Sequence, residues 1–214
     1  MIIAIANQNG GSGKTVVANN LALLRARSGR KVMLLDTDPK KTSSIWSGER
    51  AAAGLLPKLA ARAISGRGLA TELEALRLHY NDILIDTEGR DTPESRSALI
   101  AARLVVVPVS ADQVDLASQY KLIARLNSAR MFNPGLRVLF VTVGGEHDPN
   151  EEESAAIRAY VSRVMSASLA STVIHAHQTA HQACGRGRCV CDAADCHVRA
   201  AAEMSALYKE VFIP

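Results

Sequence analysis

The sequence is poor in aromatic residues: they make up 4% of 214 positions, as three Phe, one Trp and four Tyr. Its core must therefore be built from Ala, Val, Leu and Ile. It has no apolar run of the ~18–20 residues that a membrane-spanning helix requires. Its first residues, Met1-Ile2-Ile3-Ala4-Ile5-Ala6, lack the basic opening, longer apolar stretch and cleavage site of a secretory signal. These absences lead us to expect a cytoplasmic protein whose four cysteines are reduced thiols or metal ligands rather than disulfides. No repeat, low-complexity tract or linker is visible, so residues 1–214 read as one domain. The composition, 48% apolar and 21% charged, is globular rather than disordered. A net charge of +4 is compatible with nucleic acid or an anionic membrane surface and selects neither.

Short β-branched runs alternate with helical stretches. Strands are predicted at Ile2–Ala6, Lys31–Asp36, Asp82–Asp86, Leu104–Val109 and Arg137–Val143, with a short sixth at Thr172–His175. Helices are predicted at Thr15–Ser28, with Gly29 as its stop, and near 42–53, 69–79, 93–102, 112–130, 151–166 and 197–211. Continuous apolar strands separated by helices indicate an α/β fold, a mostly parallel central sheet with helices on both faces. Ligands of such sheets bind beyond the carboxyl ends of the strands.

Three motifs converge on that edge. The first is Asn9-Gly10-Gly11-Ser12-Gly13-Lys14-Thr15, between the first strand and the first helix. A glycine-rich turn lets successive N–H groups point at an anion, and the helix N-terminus adds partial positive charge. With Val16 it forms the expected phosphate-binding segment, a P-loop. Lys14 reaches the outer phosphates and the Thr15 hydroxyl ligates Mg²⁺. The standard pattern places Gly five positions before Gly13, where Gln8 stands. The second motif is Asp36-Thr37-Asp38-Pro39. Residues two apart in an extended segment point the same way, so both carboxylates could face the metal and the γ-phosphate; an ordinary turn is the alternative. The third is Asp86, placed to help hold Mg²⁺ through water or merely to cap the next segment.

With Ala6-Asn7-Gln8, Leu34-Leu35-Asp36-Thr37-Asp38-Pro39, Ile83-Leu84-Ile85-Asp86-Thr87, Val107-Pro108-Val109 followed by Asp112–Leu116, and Leu207-Tyr208-Lys209-Glu210-Val211-Phe212, the chain resembles the ParA/MinD family of deviant Walker ATPases. The branch it looks most like is the short ParA type, without an N-terminal DNA-binding domain. The resemblance implies a single-domain P-loop NTPase that binds ATP and Mg²⁺. It implies a face-to-face homodimer with ATP, nonspecific DNA binding by that dimer, and a ParB-like adaptor that stimulates hydrolysis and releases it. The protein would then be nucleoid-associated and would position a plasmid, a chromosome or other cargo. By position, Asp38 looks like the residue that orients the attacking water, Asp36 and Asp86 like the metal's outer shell, and Thr87–Arg96 like the segment that senses the γ-phosphate. The family's signature lysine lies just before Gly10, where this chain has Asn9. A charge-assisted contact is worth roughly twice a neutral one. A weaker ATP dimer, slower hydrolysis or a substitute cation such as Lys40 or Lys41 is therefore expected.

All four cysteines, Cys184, Cys189, Cys191 and Cys196, fall within 13 residues. With His175, His177 and His181 nearby they could hold Zn²⁺, although the spacing is not the paired C-x2-C of common zinc modules. An iron–sulfur cluster and plain buried cysteines are the alternatives. Arg186, Arg188, Arg199 and Lys209 lie in the same tail and are the candidate DNA contacts, since phosphate binding asks only for positive charge on one face. The 197–211 helix is not strongly amphipathic, which favours DNA over a membrane. Two other functions compete with the partitioning reading. One is a metal-linked Mrp/NifH-like protein that uses the cysteines. The other is a nucleotide-regulated interaction protein that hydrolyses little because of Asn9.

Overall fold

The computed structural model describes the chain except residues 9–10, 66–67, 111–115, 146, 176–185, 193–197 and 214, and except the side chains of 116–119. Seven parallel strands form one sheet: β1 (Ile2–Ile5), β2 (Val32–Asp36), β3 (Ala60–Ala63), β4 (Asp82–Asp86), β5 (Leu104–Val109), β6 (Arg137–Val143) and β7 (Ala167–Ile174). Their order is β3-β2-β4-β1-β5-β6-β7. The chain leaves β1 for one half of the sheet, comes back to fill the gap with β4, and then builds the other half. That switch puts the carboxyl end of β1 between β4 and β5, where such folds bind ligands.

Among the described residues the helices are α1 (Lys14–Arg27), α2 (Thr42–Ala52), α3 (Leu69–Leu76), α4 (Pro93–Ala101), α5 (Leu116–Phe132), α6 (Glu151–Val161) and α7 (Val198–Phe212). The strand period of two divides the core. Ile3, Ile5, Leu34, Leu84 and Val106 face one layer with Val17, Leu21, Trp46, Met204 and Leu207. Ala4, Leu35, Ile83, Ile85, Val105 and Val107 face the other, with Leu73, Leu99, Leu126 and Tyr160. Burial on both faces explains why these strands read as continuous apolar runs. None of the described helices is long and apolar enough to cross a membrane.

Several boundaries differ from the sequence expectation. β3 was not expected: its Ala-Ala-Arg-Ala carries no β-branched residue, and it pairs only with β2 at the sheet edge. β7 begins at Ala167, five residues before the expected start, and a register shift against β6 between Phe140 and Thr142 interrupts its pattern. α6 stops at Val161 rather than near 166, and the chain then turns through Ser166 at φ 53. Gly29 does follow α1, at φ 83, as a helix stop.

Candidate functional site

β1 runs directly into the glycine loop. Gly11 and Gly13 take φ 73 and 77, which side chains resist. Gly13 is the N-cap of α1, without a side-chain cap, so the positive end of the helix faces the loop. Lys14 is only 8% exposed, and its Nζ lies 3.3 Å from Ser12 Oγ. Burial pushes the Lys14 ammonium down, while the charges of Asp86 and Asp38 pull it back up. Of the expected phosphate segment, Gly11, Ser12, Gly13, Lys14, Thr15 and Val16 stand together at the head of α1; Asn9 and Gly10 lie outside the described residues.

Asp86, 1% exposed at the end of β4, accepts a hydrogen bond from Thr15 Oγ1 at 2.8 Å and lies 2.8 Å from Ser43 Oγ. Burial raises its carboxyl to about 6, partly offset by those two hydroxyls, while Asp36 raises it further and Lys14 lowers it. Asp86 is therefore tied to the first turn of α1 and to α2. Ser43 also sits 2.8 Å from Asn19 Oδ1, so α1, α2 and β4 meet at this carboxylate.

The two aspartates at the end of β2 are not equivalent. Both oxygens of Asp36 accept backbone N–H groups, from Asp38 at 3.0 Å and Ser44 at 2.9 Å. Burial raises Asp36, and those bonds oppose the shift. Asp36 thus braces the turn into α2, within electrostatic reach of both Asp38 and Asp86. Asp38 is half-buried, and its Oδ1 accepts Lys40 N at 2.9 Å. The candidate substitute cations Lys40 and Lys41 are both exposed on this rim.

The segment after β4 closes over the loop. Thr87 Oγ1 donates to Ile5 O at 2.8 Å, and Glu88 N donates to Thr37 Oγ1 at 3.2 Å. A Cβ on Gly89 would lie 3.2 Å from Gln8 O and 3.4 Å from Lys14 Nζ, so only glycine fits comfortably against the phosphate loop. Sequence reasoning missed Ser43, Asn19 and Gly89; the lone glycine in Thr87–Arg96 was the one usable signal.

The tail positions separate. Arg186 and Arg188 are exposed, on a segment clasped against α2. Arg50, 0% exposed, donates to Gly187 O at 3.1 Å and pairs with Asp192 at 2.7 Å, while Trp46 Nε1 donates to Arg188 O at 3.0 Å. Gly187 takes φ +74, and a Cβ there would fall 2.1 Å from Arg50 N. Arg199 is exposed but ion-paired to Glu203 at 2.9 Å, and Lys209 is exposed near the end of α7. Cys189 is buried in the α1–α2–α7 core layer, and burial pushes the half-buried Cys191 thiol up. Cys184 and Cys196 lie outside the described residues, and among the described ones no group of His, Cys, Asp and Glu is placed to hold a metal.

Residues 3–187 match the model of the CobQ/CobB/MinD/ParA nucleotide binding domain. The chain belongs to that family. It is 36% identical to the chromosome-partitioning ATPase Soj of Thermus thermophilus over 168 residues, covering 66% of this chain and 68% of Soj. Its fold is similar to that of apo McdA from Cyanothece, with a TM-score of 0.76, 18% identity and 98% of both chains covered. It is also similar to the septum site-determining protein MinD of Pyrococcus horikoshii, solved with Mg-ADP, with a TM-score of 0.71, 19% identity, and 99% and 96% of the two chains covered. As a ParA/MinD-type chain it sits in a family of ATPases, within the branch that includes partitioning proteins.

Proposed function

We propose that this chain is an ATP-driven positioning or partitioning ATPase that cycles between an ADP-bound monomer and an ATP-bound dimer on nonspecific DNA. The observation that carries the nucleotide part is Thr15 joined to the buried Asp86, with the desolvated Lys14 beside them at the head of α1. The donor set fits a Mg-nucleotide: a hydroxyl and carboxylates suit a hard cation, and a left-handed glycine pair under a helix N-terminus suits phosphate. Mg²⁺, when bound by Thr15 with Asp86 and Asp36 behind it, would neutralise phosphate charge.

The chain's own residues supply the rest. Lys14 and the N–H groups of the loop through Val16 bind and orient the phosphates. Asp86 fixes the Thr15 hydroxyl, and Ser43 fixes Asp86. Asp38, at the mouth, orients the attacking water. Gly89 brings the Thr87–Arg96 segment onto the loop, so this segment follows occupancy of the γ-phosphate site. Asn9, in place of a lysine, weakens the dimer and slows turnover.

Partitioning, rather than another use of ATP, is supported by the relation to Soj, a chromosome-partitioning ATPase. The exposed Arg186, Arg188 and Lys209 add positive charge for phosphate contacts, while Arg199 is the weakest candidate because Glu203 neutralises it. The test is fluorescence anisotropy of nonspecific duplex DNA with ADP, ATP and a slowly hydrolysed ATP analogue. ATP-dependent binding that falls steeply with salt is expected. Absence of binding with every nucleotide contradicts the DNA part, and unchanged ATP-dependent dimerisation in Asn9→Lys contradicts the role given to Asn9.

A further inference from the structure

Arg125 lies on α5, yet its guanidinium reaches two other segments that meet around the glycine loop, the residue before the loop and the Thr87–Arg96 segment. Nη1 donates to Gln8 Oε1 at 3.3 Å, on the residue that leads into the loop. Nη2 donates to Ser95 Oγ at 2.7 Å. Ser95 is fully buried and is the N3 residue of the capping box that starts α4, reciprocating with Thr92. Nε lies 3.3 Å from Asp91 Oδ1 but makes no aligned hydrogen bond, while Arg96 holds both Asp91 oxygens at 2.8 Å.

The side chain is 10% exposed. A guanidinium removed from water and left with an unmet donor carries a real cost. Packing alone would be served by a leucine or methionine here. Gln8 is also the residue whose carbonyl packs on Gly89. The loop, the Thr87–Arg96 segment and α5 therefore share one small network, with a long bond on the loop side and a short one on the α4 side.

We propose that Arg125 is a positioning residue that couples the phosphate loop to α4 and α5: when nucleotide fills the site at the head of α1, the Gln8–Arg125–Ser95 chain tightens and stiffens the start of α4. This rests on the nucleotide reading given above. The coupled element borders a groove of about 310 Å³ between α4 and α5, lined in part by Leu99, Ile100, Ala129 and Phe132. Nucleotide state is thereby written onto a surface remote from Lys14.

The test is hydrogen exchange with and without saturating Mg-ADP, in wild type, Arg125→Gln and Ser95→Ala. A hydrogen bond to a charged group is worth roughly 1.5–3 kcal/mol, which is about 10-fold or more in exchange. In wild type, Mg-ADP slows exchange by about that factor in the first turn of α4 and in α5 near Arg125. In Arg125→Gln, Mg-ADP binds about 3- to 10-fold more weakly, as expected for one lost hydrogen bond, and the exchange response disappears even at saturation. Ser95→Ala loses the response at α4 and keeps the charge; should Arg125→Gln not fold, this variant decides alone. A wild type that binds Mg-ADP without any α4–α5 response, or variants that keep the full response, overturn the coupling. A wild type that does not bind Mg-ADP overturns the nucleotide reading itself.

Discussion

Replacing Asp86 with Asn should stabilise the nucleotide-free protein while destroying its nucleotide response. Burial lifts this carboxyl from its ordinary 3.8 to about 6. Below about pH 4 it is protonated in both folded and unfolded chains. Between about 4 and 6 the unfolded chain ionises while the folded one holds its proton, so stability falls as pH rises through that window. Above about 6 the full penalty persists. At 1.36 kcal/mol per unit, a shift of about two units corresponds to roughly 2–3 kcal/mol. Asn fills the same space and carries no charge to desolvate, so Asp86→Asn should recover most of that. For a chain of this length each kcal/mol moves Tm by roughly 2–4 °C, giving a rise of roughly 4–12 °C at pH 7.5 without Mg²⁺ or nucleotide. The assay is a thermal melt followed by circular dichroism, taken for both proteins between pH 4 and 8. The difference between them should be present above pH 6 and shrink toward zero as pH approaches 4. Added Mg-ADP should raise Tm in wild type only. An Asp86→Asn protein that is less stable than wild type at pH 7.5, or a difference independent of pH, would refute the reasoning.

Arg50→Met removes a fully buried guanidinium from Asp192 and from the carbonyls of Leu56, Pro57 and Gly187, while Arg27 still pairs with Asp192, so urea unfolding should show a loss of roughly 1–3 kcal/mol; a loss under about 0.5 kcal/mol would mean that the 186–192 clasp contributes little. Gly89→Ala forces a Cβ against Gln8 O and Lys14 Nζ, with an overpacking cost of roughly 1–3 kcal/mol. Tm should fall by roughly 2–12 °C and Mg-ADP affinity by about 5- to 100-fold, and unchanged Tm and affinity would show that the segment does not press on the loop. Thr92→Ala removes the α4 cap and should cost about 1 kcal/mol, read by denaturant midpoint.

The strands most legible in the sequence were those buried on both faces, because β1, β2, β4, β5 and β6 need unbroken apolar runs. β3 was invisible because an edge strand of small residues and one Arg carries no such signal. The candidate site was legible where short local patterns define it: Gly11 to Thr15, Asp36-Thr37-Asp38 and Asp86. Its supports were not. Ser43 reaches Asp86 from 43 residues away, and Arg125 reaches Gln8 from 117 residues away. No local pattern encodes such pairs; only the sheet's switch in strand order brings them together. That Asp36 spends both oxygens on the turn into α2 was not legible either: the turn needs its N–H groups met, and Asp36 meets those of Asp38 and Ser44.

The central claim is that Thr15, Lys14 and Asp86 bind a Mg-nucleotide that is then hydrolysed. Equilibrium titration of the full chain with a slowly hydrolysed Mg-ATP analogue, beside Lys14→Ala and Asp86→Asn, tests it most directly. The account predicts saturable binding of one nucleotide per chain in wild type, strict dependence on Mg²⁺, and loss of at least about 2 kcal/mol, more than 10-fold, in either variant. Absence of binding at millimolar nucleotide, or equal binding in Lys14→Ala, would contradict it.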